Sequence, residues 1–167
     1  SEMGYDYATL GNHDFDGGLD GLVKQMPHAS FKFLCANYDF SNTPLAGMVQ
    51  PYAIKKMGPY QIGLFGIGIE LAGLVPDKLY GGIKYQDPIT NANKTAQLLK
   101  DKGCNIIICL SHLGYEYKGN KVSDKVLAKS SNNIDLILGG HTHTFMSCPQ
   151  RILNQNGKEI FINQTGW

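Results

Sequence analysis

What the chain lacks narrows its function before any motif is read. The longest basic run is Lys55-Lys56, and 15 Lys+Arg against 14 Asp+Glu leave a formal net charge of +1, too little to neutralise a row of nucleic-acid phosphates. Long apolar runs are missing too. The most apolar window, Gly63 to Pro76, is broken by glycines and Glu70 and falls short of the roughly 20 residues that a membrane span needs. There is no Cys-x-x-Cys. Cys35, Cys104, Cys109 and Cys148 stand at wide, irregular spacing, which fits neither a zinc knuckle nor a disulfide framework and reads as core thiols. No repeat, low-complexity tract or linker divides the chain, so its 167 residues, 43% of them hydrophobic, describe a single α/β unit.

What is present alternates between strand-like and helix-like periods. Tyr7 to Leu10 reads as the end of a strand entering Gly11-Asn12-His13-Asp14, after which Leu19, Leu22, Val23 and Met26 repeat at the spacing of an amphipathic helix. Phe31 to Asn37, Tyr52 to Met57 and Gln61 to Ile69 read as strands. Asp87-Pro88 supplies an N-cap and a first-turn proline to a helix that buries Ile89, Ala92, Ala96 and Leu99 and ends before Gly103. Asn105 to Leu110 and Ile134 to Leu138 show no polar alternation, the pattern of central strands covered on both faces. Val122, Val126 and Leu127 suggest a short helix between them, and Asn156-Gly157 predicts a hairpin between Arg151–Leu153 and Glu159–Asn163.

The chemistry collects where strands end. His13, His112, His141 and His143 all follow apolar strand-like segments, whereas His28 does not, and in open α/β sheets the carboxyl ends of strands form the ligand crevice. Imidazole suits borderline divalent metals, with carboxamide and carboxylate oxygens as supplements. A lone strand-end histidine such as His112 is more often a hydrogen-bonded structural residue. Gly-His-Thr-His is more specific, since two imidazoles at i and i+2 after two glycines can reach one metal cluster. In Gly-Asn-His-Asp, Asn12 can offer a carboxamide oxygen to a metal while His13 acts as general acid, its ring oriented by a carboxylate such as Asp14. The same four residues also read as a glycine turn with an Asx cap.

Together, Gly11-Asn12-His13-Asp14-Phe15-Asp16, Ser111-His112-Leu113-Gly114 and Gly140-His141-Thr142-His143-Thr144 resemble the calcineurin-like metallophosphoesterases, in particular their 5'-nucleotidase and UDP-sugar hydrolase branch. Gly4-Tyr5-Asp6, Asn156-Gly157-Lys158 and Asn163-Gln164-Thr165-Gly166-Trp167 extend the likeness to both ends. The resemblance implies an αββα sandwich with mixed sheets and a dinuclear centre of divalent cations, zinc or manganese. Asn12, His112 and His141 would ligate one cation and His143 the other, with His13 as acid or transition-state stabiliser paired with Asp14. The implied reaction is in-line attack on phosphorus by a metal-bound hydroxide, with a nucleotide or another small phosphoester as substrate. A periplasmic or extracellular location follows from the same resemblance.

Two motifs of that family are absent: an Asp-x-His ending the first strand and a Gly-Asp whose carboxylate bridges the metals. The chain opens Ser1-Glu2-Met3-Gly4, with neither an initiating methionine nor a leader, and ten residues precede Gly11. The expectation is therefore that residues 1–167 form a partial catalytic domain with its N-terminal strands missing and its dinuclear site incomplete. A second copy of the chain, a separately retained N-terminal piece or, as the favoured expectation, sequence continuing beyond these residues would then complete the sheet. The competing expectation, from a different class, is a catalytically inactive metal-binding or scaffold domain of the same fold. Tyr115, Tyr117 and Phe145 lie near the motifs and are candidates to line a pocket, but no substrate-binding residue is assigned.

Overall fold

The computed structural model describes residues 2–119 and 121–166. Strand β1 (Tyr7–Thr9) runs into a 3-10 turn (Asn12–Phe15) and helix α1 (Gly18–Gln25), and β2 (Lys32–Leu34) and β3 (Tyr38–Asp39) follow. Next come β4 (Tyr52–Met57), β5 (Tyr60–Ile67), the short α2 (Asp77–Tyr80), β6 (Lys84–Tyr85) and α3 (Pro88–Asp101). The chain ends with β7 (Ile106–Ser111), α4 (Asp124–Lys129), β8 (Leu136–Gly139), β9 (Gln150–Leu153) and β10 (Glu159–Gln164).

Six strands form one mixed sheet in the order β4-β5-β7-β8-β10-β9, in which β5, β7, β8 and β10 are parallel and the two edge strands antiparallel. Helix α3 starts where the sequence expects it, because the Asp87 side chain accepts the Thr90 N–H at 2.7 Å and Pro88 needs no donor partner. It lays Ala92, Ala96 and Leu99 on the sheet, and α4 adds Leu127 and Ala128. Against them stand Phe65, Ile107, Cys109, Ile137, Ile160 and Ile162, all buried.

The parallel pair β1-β2 lies over the opposite face at β5, tied to it where Ala36 N–H donates to the Gly66 carbonyl at 2.8 Å. Outside this pair, α1 buries Leu22 together with Leu10, Phe15 and Cys35 in a second core. The layers thus run helix, sheet, sheet, helix, as expected of an αββα sandwich. The three-residue β1-β2 pair makes the second sheet small. Its span corrects one expectation: β7, β8 and β10 are covered by helices on one face, while the other stays open among the described residues. Ile106, Leu138 and Phe161 are 40%, 40% and 41% exposed, and Ile108, Leu136 and Phe161 sit side by side across the three strands.

The expected strand Phe31–Asn37 is also shorter than its pattern suggests. Only Lys32–Leu34 pair with β1, after which the chain turns so that Tyr38 and Asp39 pair antiparallel with Tyr85 and Lys84 of β6. The predicted hairpin is present: Asn154 Oδ1 accepts the N–H groups of Asn156 and Lys158, both at 2.9 Å, and Gly157 takes the positive φ of 75° that the turn requires.

Candidate metal centre

The ends of β1, β7 and β8 deliver Asn12, His112 and His141 to one place. After β1 the chain tightens into the 3-10 turn because Asp14 Oδ2 accepts the Gly11 N–H at 2.7 Å and the fully buried Phe15 anchors the turn from below. Asn12 is thereby directed inward and is 7% exposed. Gly11 has a specific reason to lack a side chain: a Cβ there would lie 2.5 Å from the His112 ring, which packs flat on the bare backbone.

The same turn corrects the expected partner of His13. Its Nδ1 lies 2.9 Å from Asp16 Oδ2, not from Asp14. Three residues make one full 3-10 turn, so positions 13 and 16 share a face, while Asp14 is turned back to cap Gly11. Burial raises the Asp14 carboxyl above its ordinary range, outweighing the lowering effect of the Gly11 N–H. His13 itself faces solvent, its side chain 80% exposed.

Asn12 Oδ1 sits between two imidazoles, 3.2 Å from His112 Nε2 and 3.0 Å from His141 Nδ1. The rings meet edge to face with centroids 5.2 Å apart. Two ligand atoms about 2.1 Å from one cation, at right angles to each other, stand about 3.0 Å apart, close to each of the two separations from Asn12 Oδ1. Asn12 Oδ1 can equally accept an N–H from each ring. Burial, reinforced by His141, His13 and His143, pushes His112 down to about 4. Burial and then Lys121 lower His141. Both imidazoles are therefore neutral near pH 7, the form that ligates metal. Among the described residues, no group of three or more His, Cys, Asp or Glu side chains is placed to hold a cation.

His143 lies two residues beyond His141, and both adopt left-handed backbone, with φ of 50° and 71°. Such conformations cost a non-glycine residue about 1–3 kcal/mol each and persist only where neighbours over-determine them. Asp124, which no sequence motif includes, and Gln164, from the C-terminal motif but with no role assigned to it, lie buried beneath this loop. Gln164 had a signal: it follows Ile160 and Ile162 in the same core-facing register of β10, a polar side chain in an apolar row. Burial raises Asp124 to about 6 against the lowering hydrogen bonds from Ser111 and Gln164.

Of the three candidate pocket aromatics, Tyr115 and Phe145 share a cleft of about 220 Å³ with Thr144, Met146, Cys148 and Gln150. Tyr117 points elsewhere: its hydroxyl donates to the Leu113 carbonyl at 2.6 Å and Lys121 lies over its ring, 4.6 Å from the centroid.

Comparison with known proteins agrees with this fold. The family model for calcineurin-like phosphoesterases matches residues 2–145. A snake venom 5'-nucleotidase from Gloydius brevicauda is 31% identical over 150 residues, which cover 87% of this chain and 24% of that protein. A 5'-nucleotidase from Vibrio parahaemolyticus is 34% identical over 150 residues, covering 85% and 27%. The crystal structure of a 5'-nucleotidase precursor from Thermus thermophilus superposes with a TM-score of 0.85 at 30% identity, over 97% of this chain and 33% of that one. The chain thus spans about a quarter of the length of these curated relatives. With three histidine motifs at three strand ends of a mixed-sheet sandwich, and a family match across most of its length, the chain belongs to the calcineurin-like phosphoesterases.

Proposed function

We propose that this protein hydrolyses phosphate esters of nucleotides or similar small molecules with the help of divalent cations, zinc or manganese. The observation that carries the reading is the convergence of Asn12 Oδ1, His112 Nε2 and His141 Nδ1 at 3.0–3.2 Å. These three residues would hold one cation, and His143 is what the chain offers to a second. A bound cation lowers the pKa of water and draws charge from phosphoryl oxygens.

The rest is the work of the chain's own side chains. His13, exposed at the rim with its Nδ1 fixed on Asp16, is placed to give a proton to the departing oxygen or to hydrogen-bond the phosphoryl group. Asp14 serves the reaction indirectly, by capping the turn that carries Asn12 and His13. His112 and His141 stay unprotonated at neutral pH and keep their nitrogens available. Nucleotides are the favoured substrate class because the curated relatives are named 5'-nucleotidases. A venom protein and a precursor among the relatives support a periplasmic or extracellular location.

The test is calorimetric titration with zinc or manganese chloride, alongside turnover of p-nitrophenyl phosphate and a nucleoside 5'-monophosphate. Asn12→Ala should abolish most of the binding heat. Equal metal binding by Asn12→Ala and the parent would overturn the ligand assignment. Cell fractionation with an antibody to this chain tests the location, and recovery in the cytosol alone would refute it.

A further inference from the structure

Beneath the histidine loops lies a carboxylate that the chemistry above does not use. Asp124 is completely buried at the start of α4. One of its oxygens accepts the Ser111 hydroxyl at 2.5 Å, and the other accepts Gln164 Nε2 at 3.2 Å. Gln164 Nε2 also donates to the Gly140 carbonyl at 2.7 Å, while its Oε1 accepts the Thr144 N–H at 3.0 Å and the Thr142 hydroxyl at 3.3 Å.

The positions of these contacts in the chain give them meaning. Ser111 immediately precedes His112, Gly140 precedes His141, Thr142 separates the two loop histidines and Thr144 follows His143. One carboxylate and one carboxamide therefore reach the backbone of Gly140 before His141 and of Thr144 after His143, and the hydroxyls of Thr142 between them and of Ser111 before His112. Their polarity is fixed as well. An ionised carboxylate only accepts, so Gln164 must turn its NH2 toward Asp124 and Gly140 and its oxygen toward Thr142 and Thr144. The reversed amide would set donor against donor at Thr144. Space for the carboxylate comes from Gly139, where a Cβ would stand 2.1 Å from Asp124 Oδ2.

We propose that Asp124 and Gln164 are positioning residues: a buried relay that sets the direction of the His112, His141 and His143 imidazoles by fixing the backbone at the ends of β7 and β8. The proposal rests on reading Asn12, His112 and His141 as cation ligands. It explains how the two histidine positions on either side of Thr142 keep left-handed backbone, since the loop is gripped at Gly140, Thr142 and Thr144. Groups that orient ligands from behind typically carry 10–100-fold of metal affinity.

The experiment compares the parent with Asp124→Asn, which keeps the size but leaves an NH2 in place of an acceptor oxygen at one of the two contacts, Ser111 or Gln164, and with Gln164→Met, which keeps the volume and removes every bond that Gln164 makes. Metal-free samples are read by thermal melting, by hydrogen exchange at the Thr144 amide and by the ¹H–¹⁵N spectra of the imidazoles. Zinc chloride is then titrated calorimetrically. The expected result is a cooperative melt in both variants, Thr144 exchange at least about tenfold faster in Gln164→Met as its acceptor is lost, shifted His141 and His143 resonances, and a zinc Kd weakened about 10–100-fold. Unchanged imidazole spectra and an unchanged zinc Kd in a folded variant overturn the relay. If both variants lose the melting transition, the network serves folding and the positioning role is refuted. A parent that binds no zinc, with imidazole spectra still moved by Gln164→Met, refutes the ligand reading and leaves the relay standing.

Discussion

Asp124→Asn should alter how stability depends on pH, and the magnitude can be worked from two opposed shifts. Folding raises Asp124 from 3.8 to about 6. The stability tied to its proton is therefore fully present below about 3.8 and lost as the pH rises through about 6. Folding lowers His112 from 6.5 to about 4. Its contribution is fully present above about 6.5 and lost as the pH falls through about 4. Each shift of somewhat more than two units corresponds to about 3 kcal/mol at 1.36 kcal/mol per unit. Between about pH 6 and 4 the native parent takes up a proton on Asp124 while the unfolded chain takes one up on His112, so the two slopes cancel. Asn at 124 removes one side of that balance. Urea unfolding followed by circular dichroism, with chelator present, should show the stability difference between variant and parent moving against the variant by about 2 kcal/mol from pH 6 to 4.5. Taking the difference cancels the titrations common to both proteins. A difference curve flat across that interval would refute the assignment of a raised, buried carboxyl to Asp124.

Other outcomes follow from single contacts. His13→Ala should lower p-nitrophenyl phosphate turnover by about 100-fold or more, as expected for a general acid, and an unchanged rate would favour the inactive scaffold. Asp16→Asn should weaken turnover through the His13 contact, whereas Asp14→Ala should cost about 1 kcal/mol in chemical denaturation by uncapping Gly11. Gly11→Ala should drive the His112 ring aside and weaken zinc binding in calorimetry by at least about tenfold. Leu99→Ala, in the completely buried patch under α3, should cost about 2–5 kcal/mol by the same denaturation assay.

Much of the frame was legible because its signals are local. Asp87-Pro88 with Ala92, Ala96 and Leu99 specifies where α3 starts and which face it buries, and Asn156-Gly157 specifies the β9–β10 hairpin. The convergence of His112 and His141 was legible from their places at strand ends, because the neighbouring parallel strands β7 and β8 bring their carboxyl ends to one edge, while Asn12 arrives from β1 of the other sheet. The partner of His13 was not, since choosing Asp16 over Asp14 requires knowing that the turn is 3-10. The β3–β6 ladder was hidden because two-residue strands 45 positions apart leave no periodic trace. Asp124 was hidden for another reason: a polar residue after the N-cap Ser123 reads as solvated helix-start chemistry, and its burial depends on Gly139 and Gln164 arriving from other strands. The uninterrupted apolar run in β7 marks a strand with two apolar faces, but it does not say which face the rest of the chain covers.

The left-handed backbone at His141 and His143 restricts which residues can stand there. β-Branched and bulky side chains are excluded by their own Cβ contacts, and only glycine, asparagine, aspartate and histidine enter that region readily. Within that short alphabet glycine brings no donor atom, aspartate brings a charge, and asparagine brings a neutral oxygen. The conformation of the loop thus sorts the amino acids it readily accepts into three that carry a donor atom and one that does not, so the ligand role proposed above leaves histidine, asparagine and aspartate as the exchanges that keep both backbone and donor.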